Sequence, residues 1–347
     1  MQKRIDILGK GRGGVTLLIV LAHANLLIDR NLFQGVFIQG WCGVDFFFIL
    51  SGFLMLWTYD RDMKPVAYIK KRLTRIYPVY WIYTGVVLTL HFFVVKVFGS
   101  RLVSWIELDA RGIFRSFLCL PTDVAANEMP IIPTGWTLPY EMLYYFVALF
   151  IYICGIRFFG GIIACWVALI IAVNMGDFKN VYISFIGNPV FLEFFIGMLI
   201  ACTVKQKKPN AVKKKAALVL GMIWLTVFWI AENREISVLM SFNRVFKFGV
   251  AFMLIVYGGV GMELSNGIQK RKEFCISRVL DFLEKISFSL YLVHFPLIVI
   301  LNILGRKLSI PTTISFAVII ASCIVVGWCG YYFVEKPIMD YIHALQK

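Results

Sequence analysis

The chain reads as an all-α polytopic membrane protein, a bundle of about ten transmembrane helices with both termini cytoplasmic, and three observations predict it. Its 347 residues are 60% hydrophobic and only 16% charged, with a mean hydropathy of +0.78. A soluble domain carries about 25% charged and 45–50% apolar residues, so the surplus apolar surface has no aqueous interior to fill. Ten apolar stretches are each long enough, at ~1.5 Å per residue, to cross a ~30 Å hydrocarbon layer. Finally, 24 of the 35 Lys and Arg residues fall on alternate connections: 1–12, 59–75, around 157, 205–215, 270–285 and the C-terminal tail. The positive-inside rule puts those connections in the cytoplasm. A soluble globular enzyme, a disordered chain and a collagen-like fibre are all excluded.

The spans follow in order. Lys3, Arg4, Lys10 and Arg12 precede the first apolar run, 13–30. Ala22-His23-Ala24 imitates a leader cleavage site, but the run continues through Leu26, Leu27 and Ile28, so this is a membrane helix and not a removed leader. The second span is 36–58. The basic segment 59–75 is cytoplasmic, and within it 65–75 (PVAYIKKRLTR) is an amphipathic stretch suited to the membrane interface. A third span, 76–98, leads to the longest connection, 99–137, with Pro121, Pro130, Pro133, Trp105 and Trp136; it is extracytoplasmic or re-entrant. Further spans are expected at 138–155, 158–175, 186–204, 216–232, 245–262, 286–304 and 312–333. No internal repeat interrupts them, and 1–347 forms one membrane unit. The eight cysteines include no CxxC pair and read as small buried hydrophobes, so no metal site is expected. The net charge of +15 sits between apolar runs; topology and anionic lipid explain it, and no nucleic-acid partner is expected.

Ionisable residues inside a span are costly and point to function. The candidates are His23, Asp45, His91, Glu141, Glu193 and His294. His91 has no motif around it and reads as structural. Arg12 and His23 are eleven residues apart, which returns to within ~20° of one helix face about 16 Å along the axis. A guanidinium at the cytoplasmic end would lie below an imidazole near mid-membrane. That suits a long ligand with phosphates at one end and a reactive centre at the other. The ordinary alternative is a topogenic Arg and a His bonded to a neighbouring helix. Arg72 and Arg75 share a face beside Lys71, as a phosphate clamp or as a lipid-facing basic helix.

Several segments then become familiar together. Arg12 with His23, GVDFFFILSGFLM at 43–55, Arg72-Leu73-Thr74-Arg75 and Trp136-Thr137-Leu138-Pro139-Tyr140-Glu141 are joined by FLEFFIGM at 191–198, ISFSLYLVHFPL at 286–297 and FVEKP at 333–337. In this order they resemble the acyltransferase type 3 family of polytopic membrane acyltransferases. The family often has Asp three residues before its signature Arg; here Gly9 stands there, with Lys10 as a further candidate cation.

The resemblance implies transfer of an acyl group, most often acetyl from acetyl-CoA, to a hydroxyl of a carbohydrate such as a surface polysaccharide precursor, in a bacterial plasma membrane. The geometry fits it: Arg12, Arg72, Arg75 and Lys10 would hold the nucleotide phosphates, and His23 would act as general base. Asp45 or Glu141 would orient the imidazole. Ser51 and Trp136 are candidates to steady the oxyanion, and His294, beside a kinking Pro296, is a further substrate or oxyanion candidate. Direct transfer and a covalent intermediate both remain open, and acyl-CoA, a carbohydrate or glycolipid acceptor and membrane lipid are the expected partners. The alternative from another class is a secondary transporter or flippase of sugar-linked substrates.

Overall fold

The computed structural model describes residues 4–345 apart from 60–63, 100–107, 124–127, 177, 179, 207–209 and 267–274. Helix α1 (Asp6–Ile28) is followed by two 3-10 turns, Leu32–Gly35 and Ile38–Cys42, that lead into α2 (Gly43–Trp57). Then come α3 (Pro65–Phe98) and the short α4 (Ala110–Phe117), and a 3-10 turn, Pro133–Thr137, that opens α5 (Leu138–Cys154). The chain continues through α6 (Phe159–Met175), α7 (Val181–Ile186), α8 (Phe191–Gln206), α9 (Ala211–Asn233) and α10 (Ser237–Met240). A π turn, Val245–Gly249, opens α11 (Val250–Asn266), and α12 (Cys275–Lys307) follows. Last are α13 (Thr312–Gly330), a second π turn, and α14 (Lys336–Leu345). Among the described residues nine helical runs are long and apolar enough to cross a membrane, and α6 is a shorter apolar helix of 17 residues. The chain is an all-α polytopic membrane protein.

Two boundaries differ from expectation for physical reasons. The first helix begins at Asp6, not near residue 13, although Gly9, Gly11, Gly13 and Gly14 lower its intrinsic propensity. Tertiary contacts override that cost. The Glu263 carboxylate accepts the free backbone N–H groups of Asp6 and Ile7, each at 2.8 Å. At Gly13 an added Cβ would lie 2.6 Å from the Glu284 nitrogen of α12, so the backbones meet only because no side chain intervenes. Likewise, 65–75 is continuous with the third span. It forms the first three turns of the 34-residue α3, which starts with Pro65 at its first turn, passes through Pro78 and stops at Gly99 with φ 63°.

Of the 99–137 connection, Trp105 lies outside the described residues. Helix α4 is capped by Asp109, whose Oδ1 accepts the Gly112 N–H at 2.6 Å. Beyond it, the Phe117 and Leu118 carbonyls accept from Trp81 Nε1 (2.8 Å) and Tyr77 Oη (3.1 Å) of α3. Tyr77 lies 21 residues before the end of α3, so this connection comes back along α3 by ~30 Å.

The tightest seam joins α2 to α8. A Cβ at Gly52 would collide with the Phe194 carbonyl, and one at Gly197 with the Ile49 carbonyl. Small residues of this kind let membrane helices touch by their backbones. Gly52→Val is expected to destabilise the protein by about 3 kcal/mol, at the upper end of overpacking costs. Thermal unfolding in detergent checks this, and an unchanged midpoint would show that the seam can part.

Candidate active site

Helices α1 and α12 run side by side in constant register. The offset of 271 residues that relates Gly13 to Glu284 also relates His23 to His294. Three turns of helix therefore separate a guanidinium at Arg12 from an imidazole at His23 on the same flank of α12.

Around Arg12 the helices leave a cavity of about 130 Å³. Five residues that the sequence singled out converge on it: Arg12 from α1, Ser51 from α2, Arg72 and Arg75 from α3, and Glu141 from α5. Three guanidinium groups thus face a single carboxylate. Glu141 is already engaged, because its Oε1 accepts from Tyr145 Oη at 2.7 Å and from Ser51 Oγ at 3.4 Å. Arg72 donates to Thr58 Oγ1 at 3.3 Å and lies over the Tyr68 and Tyr145 rings, 5.4 and 5.7 Å from their centroids. Arg12 Nε is buried and has no hydrogen-bond partner among the described residues. A buried, unpaired donor is expensive, so Arg12 keeps an unused donor beside a cavity whose wall holds three guanidinium groups and one carboxylate.

Lys10 does not join this group. Two residues along a helix is a turn of about 200°, and its Nζ pairs with Asp281 at 3.8 Å instead.

Higher in the bundle, His23 Nδ1 lies 2.9 Å from His294 Nε2, with the ring centroids 5.1 Å apart. His294 is fully buried and His23 half-buried. Tyr291 connects the two levels: it lines the cavity, and its ring centroid is 5.8 Å from that of His294. Tyr291 is held in place by donation from its Oη to Thr134 O at 3.0 Å, while Thr134 Oγ1 donates back to Tyr291 O at 3.0 Å.

Neither carboxylate expected to orient His23 does so. Glu141 stays in the cavity, and Asp45 spends both oxygens on Arg244, whose Nε and Nη2 donate to them at 2.8 Å each. The reason is charge pairing. Asp45 is fully buried, next to the fully buried Glu193 on α8, and only a cation offsets such a site. Arg244 is itself stacked on Trp41, 4.6 Å to the centroid, with Trp136 at 6.0 Å. Trp136 therefore belongs to this second cluster and does not line the cavity.

Arg244, Tyr145 and Tyr291 are the residues that sequence reasoning passed over. A usable signal existed only for Arg244: two carboxylates inside spans require a cation, and Arg244 stands at the border of the apolar run 245–262. Among the described residues no group of His, Cys, Asp and Glu is arranged to hold a metal ion.

Fold and cavity together define a class: a polytopic membrane protein with a cationic chamber enclosed by its helices. Residues 11–332 match the family described as "Acyltransferase domain", and the chain belongs to that family; it is an acyltransferase. It is similar to "Exopolysaccharide production protein ExoZ" of Rhizobium meliloti (strain 1021), 27% identical over 314 residues, which is 87% of this chain and 90% of the relative. It is also similar to "Putative acetyltransferase ORF330" of Acidianus two-tailed virus, 24% identical over 328 residues, 91% of this chain and 90% of the relative. No solved structure matches it.

Proposed function

We propose that this acyltransferase moves an acyl group, acetyl foremost, from acyl-CoA to a hydroxyl of a carbohydrate acceptor. The observation that carries the donor assignment is the cavity in which Arg12, Arg72 and Arg75 face one engaged carboxylate, with Arg12 Nε unpartnered. Arginine's planar fork suits phosphate oxygens, which accept several short, charge-assisted hydrogen bonds. Two of the three arginines lie in the first turns of α3, beside the basic segment read as cytoplasmic, where acyl-CoA is made. The name of the ExoZ relative supports a polysaccharide acceptor. In this reading the protein sits in a bacterial plasma membrane with both termini in the cytoplasm.

The nucleotide phosphates rest among the arginines while the thin pantetheine arm rises past Phe47 and Tyr291 toward His23. His23 takes the proton of the acceptor hydroxyl as that oxygen bonds to the thioester carbonyl carbon. The tetrahedral intermediate collapses with cleavage of the C–S bond. The departing thiolate takes the proton back from the imidazolium, giving the ester and the free CoA thiol. Ser51 Oγ already donates to Glu141 within the cavity, and the Trp136 ring faces the Arg244 guanidinium in the second cluster.

The test is calorimetry of acetyl-CoA with purified protein in detergent. Wild type binds, and Arg12→Ala binds at least ~10-fold more weakly, a loss of about 1.4 kcal/mol or more. A folded wild type that takes up no acetyl-CoA overturns the donor assignment.

A further inference from the structure

The histidine pair carries information about where its protons reside. His294 Nδ1 lies 3.0 Å from the carbonyl oxygen of Leu290, one turn earlier on α12. A carbonyl oxygen only accepts, so a neutral His294 has its proton on Nδ1 and a lone pair on Nε2. That lone pair faces His23 Nδ1 at 2.9 Å. His23 must supply the proton of that hydrogen bond, and in its neutral form it then has a bare Nε2. His23 Nε2 takes part in no hydrogen bond among the described residues, and the ring is held from another side by the edge of Phe295, 5.3 Å between centroids. The chain of acceptors Leu290 O, His294 Nε2, His23 Nε2 thus has one direction only.

We propose that His294 is the positioning residue of the acyl-transfer site: it sets the tautomer of His23 and presents Nε2 as the basic nitrogen. The inference rests on the reading of His23 as the base. It gives His294 a task that a carboxylate performs in many base arrangements. A neutral imidazole does so without adding a fixed charge to the membrane interior, where charge is costly. During transfer the acceptor O–H proton goes to His23 Nε2 as the new C–O bond forms. His23 Nδ1–H stays donated to His294 Nε2 throughout. When the C–S bond breaks, the Nε2 proton leaves with the thiolate, and His23 returns to its starting tautomer with no proton gained or lost. His294 keeps its own proton on Nδ1, donated to Leu290 O, so it acts through His23 and not on the substrate.

The chain has only four histidines, which makes a direct measurement practical. Protein labelled with ¹⁵N-histidine in detergent is expected to show His23 with a protonated Nδ1 and a bare, pyridine-like Nε2, assigned by loss of that signal in His23→Ala. His294→Gln keeps an acceptor oxygen near the former Nε2 and keeps this signature. His294→Phe fills the space without an acceptor, and His23 shifts toward the Nε2–H form. Transfer of radiolabelled acetyl from acetyl-CoA to glycan in membranes of the producing cells is read alongside. His294→Phe lowers kcat by about 10- to 100-fold, a part of what a positioned base supplies, with KM for acetyl-CoA within twofold; His294→Gln restores part of the loss.

An Nε2–H His23 in wild type overturns the inference without any variant, and so does a His294→Phe protein with unchanged kcat. Equal losses in Phe and Gln, with the tautomer unaltered in both, assign His294 to packing and overturn it as well. Normal transfer by His23→Ala is a different failure: it removes the base reading, while the tautomer measurement still reports on the pair itself.

Discussion

Replacing His23 by Ala lowers acyl transfer by about 10²- to 10⁴-fold, the usual contribution of a positioned general base, and leaves acetyl-CoA affinity nearly unchanged. The separation of effects follows from the distance between the sites. In the proposed reading the donor's charged end binds among Arg12, Arg72 and Arg75, which line the cavity about 16 Å along α1 from the imidazole, so a change at His23 leaves those contacts in place. Removing the ring also releases His294 Nε2 from its only hydrogen-bonding neighbour among the described residues. Fold is checked by thermal unfolding, binding by calorimetry and transfer by label incorporation into glycan. A folded His23→Ala enzyme working at the wild-type rate would falsify the assignment of the base.

The largest stability effect is expected at Arg244. Its side chain pairs at 2.8 Å with Asp45, which has no solvent exposure. In Arg244→Ala both Asp45 oxygens lose their donors, and the buried Glu193 beside them brings no positive charge to replace the guanidinium. Breaking a buried pair from one side costs about 3–5 kcal/mol, whereas replacing both members by apolar groups is close to neutral. Arg244→Ala is therefore expected to unfold far below wild type in detergent, and Asp45→Leu/Arg244→Leu to recover most of the loss. Equal melting of the single variant and wild type would mean that the pair contributes nothing to holding α2 against the start of α11.

Most of the architecture was legible because hydropathy alone determines which segments enter lipid. The Arg12–His23 relation was legible for a related reason, since helical periodicity is local and α1 is continuous across both. Arg72 and Arg75 share a face by their spacing, and the cavity uses that face. What was not legible depends on contacts between distant parts of the chain. Asp45 and Arg244 are 199 residues apart, and His23 and His294 271, so neither pairing leaves a local trace. The early start of α1 was hidden by its glycines, which are helix-weakening in isolation and seam-forming against α12. Lys10 is next but one to Arg12 in sequence yet faces another flank of α1 and pairs with Asp281, because two residues along a helix turn about 200°.

The 3-10 turns that open two of the spans have a steric consequence. Ile38–Cys42 precedes α2, and Pro133–Thr137 precedes α5. Gly40 lies against Leu18 of α1, and Thr134 bonds to Tyr291, the midpoint of α12, so both turns stand between the level of Arg12 and that of the histidines. A 3-10 turn holds three residues where an α-turn holds 3.6 and rises ~2.0 Å per residue instead of ~1.5 Å. Both segments are therefore slimmer than the α-helices they lead into, and their five residues cover a height that takes about seven in an α-helix. Two of the spans thus gain reach across the bundle beside α1 and α12 without adding residues to the chain.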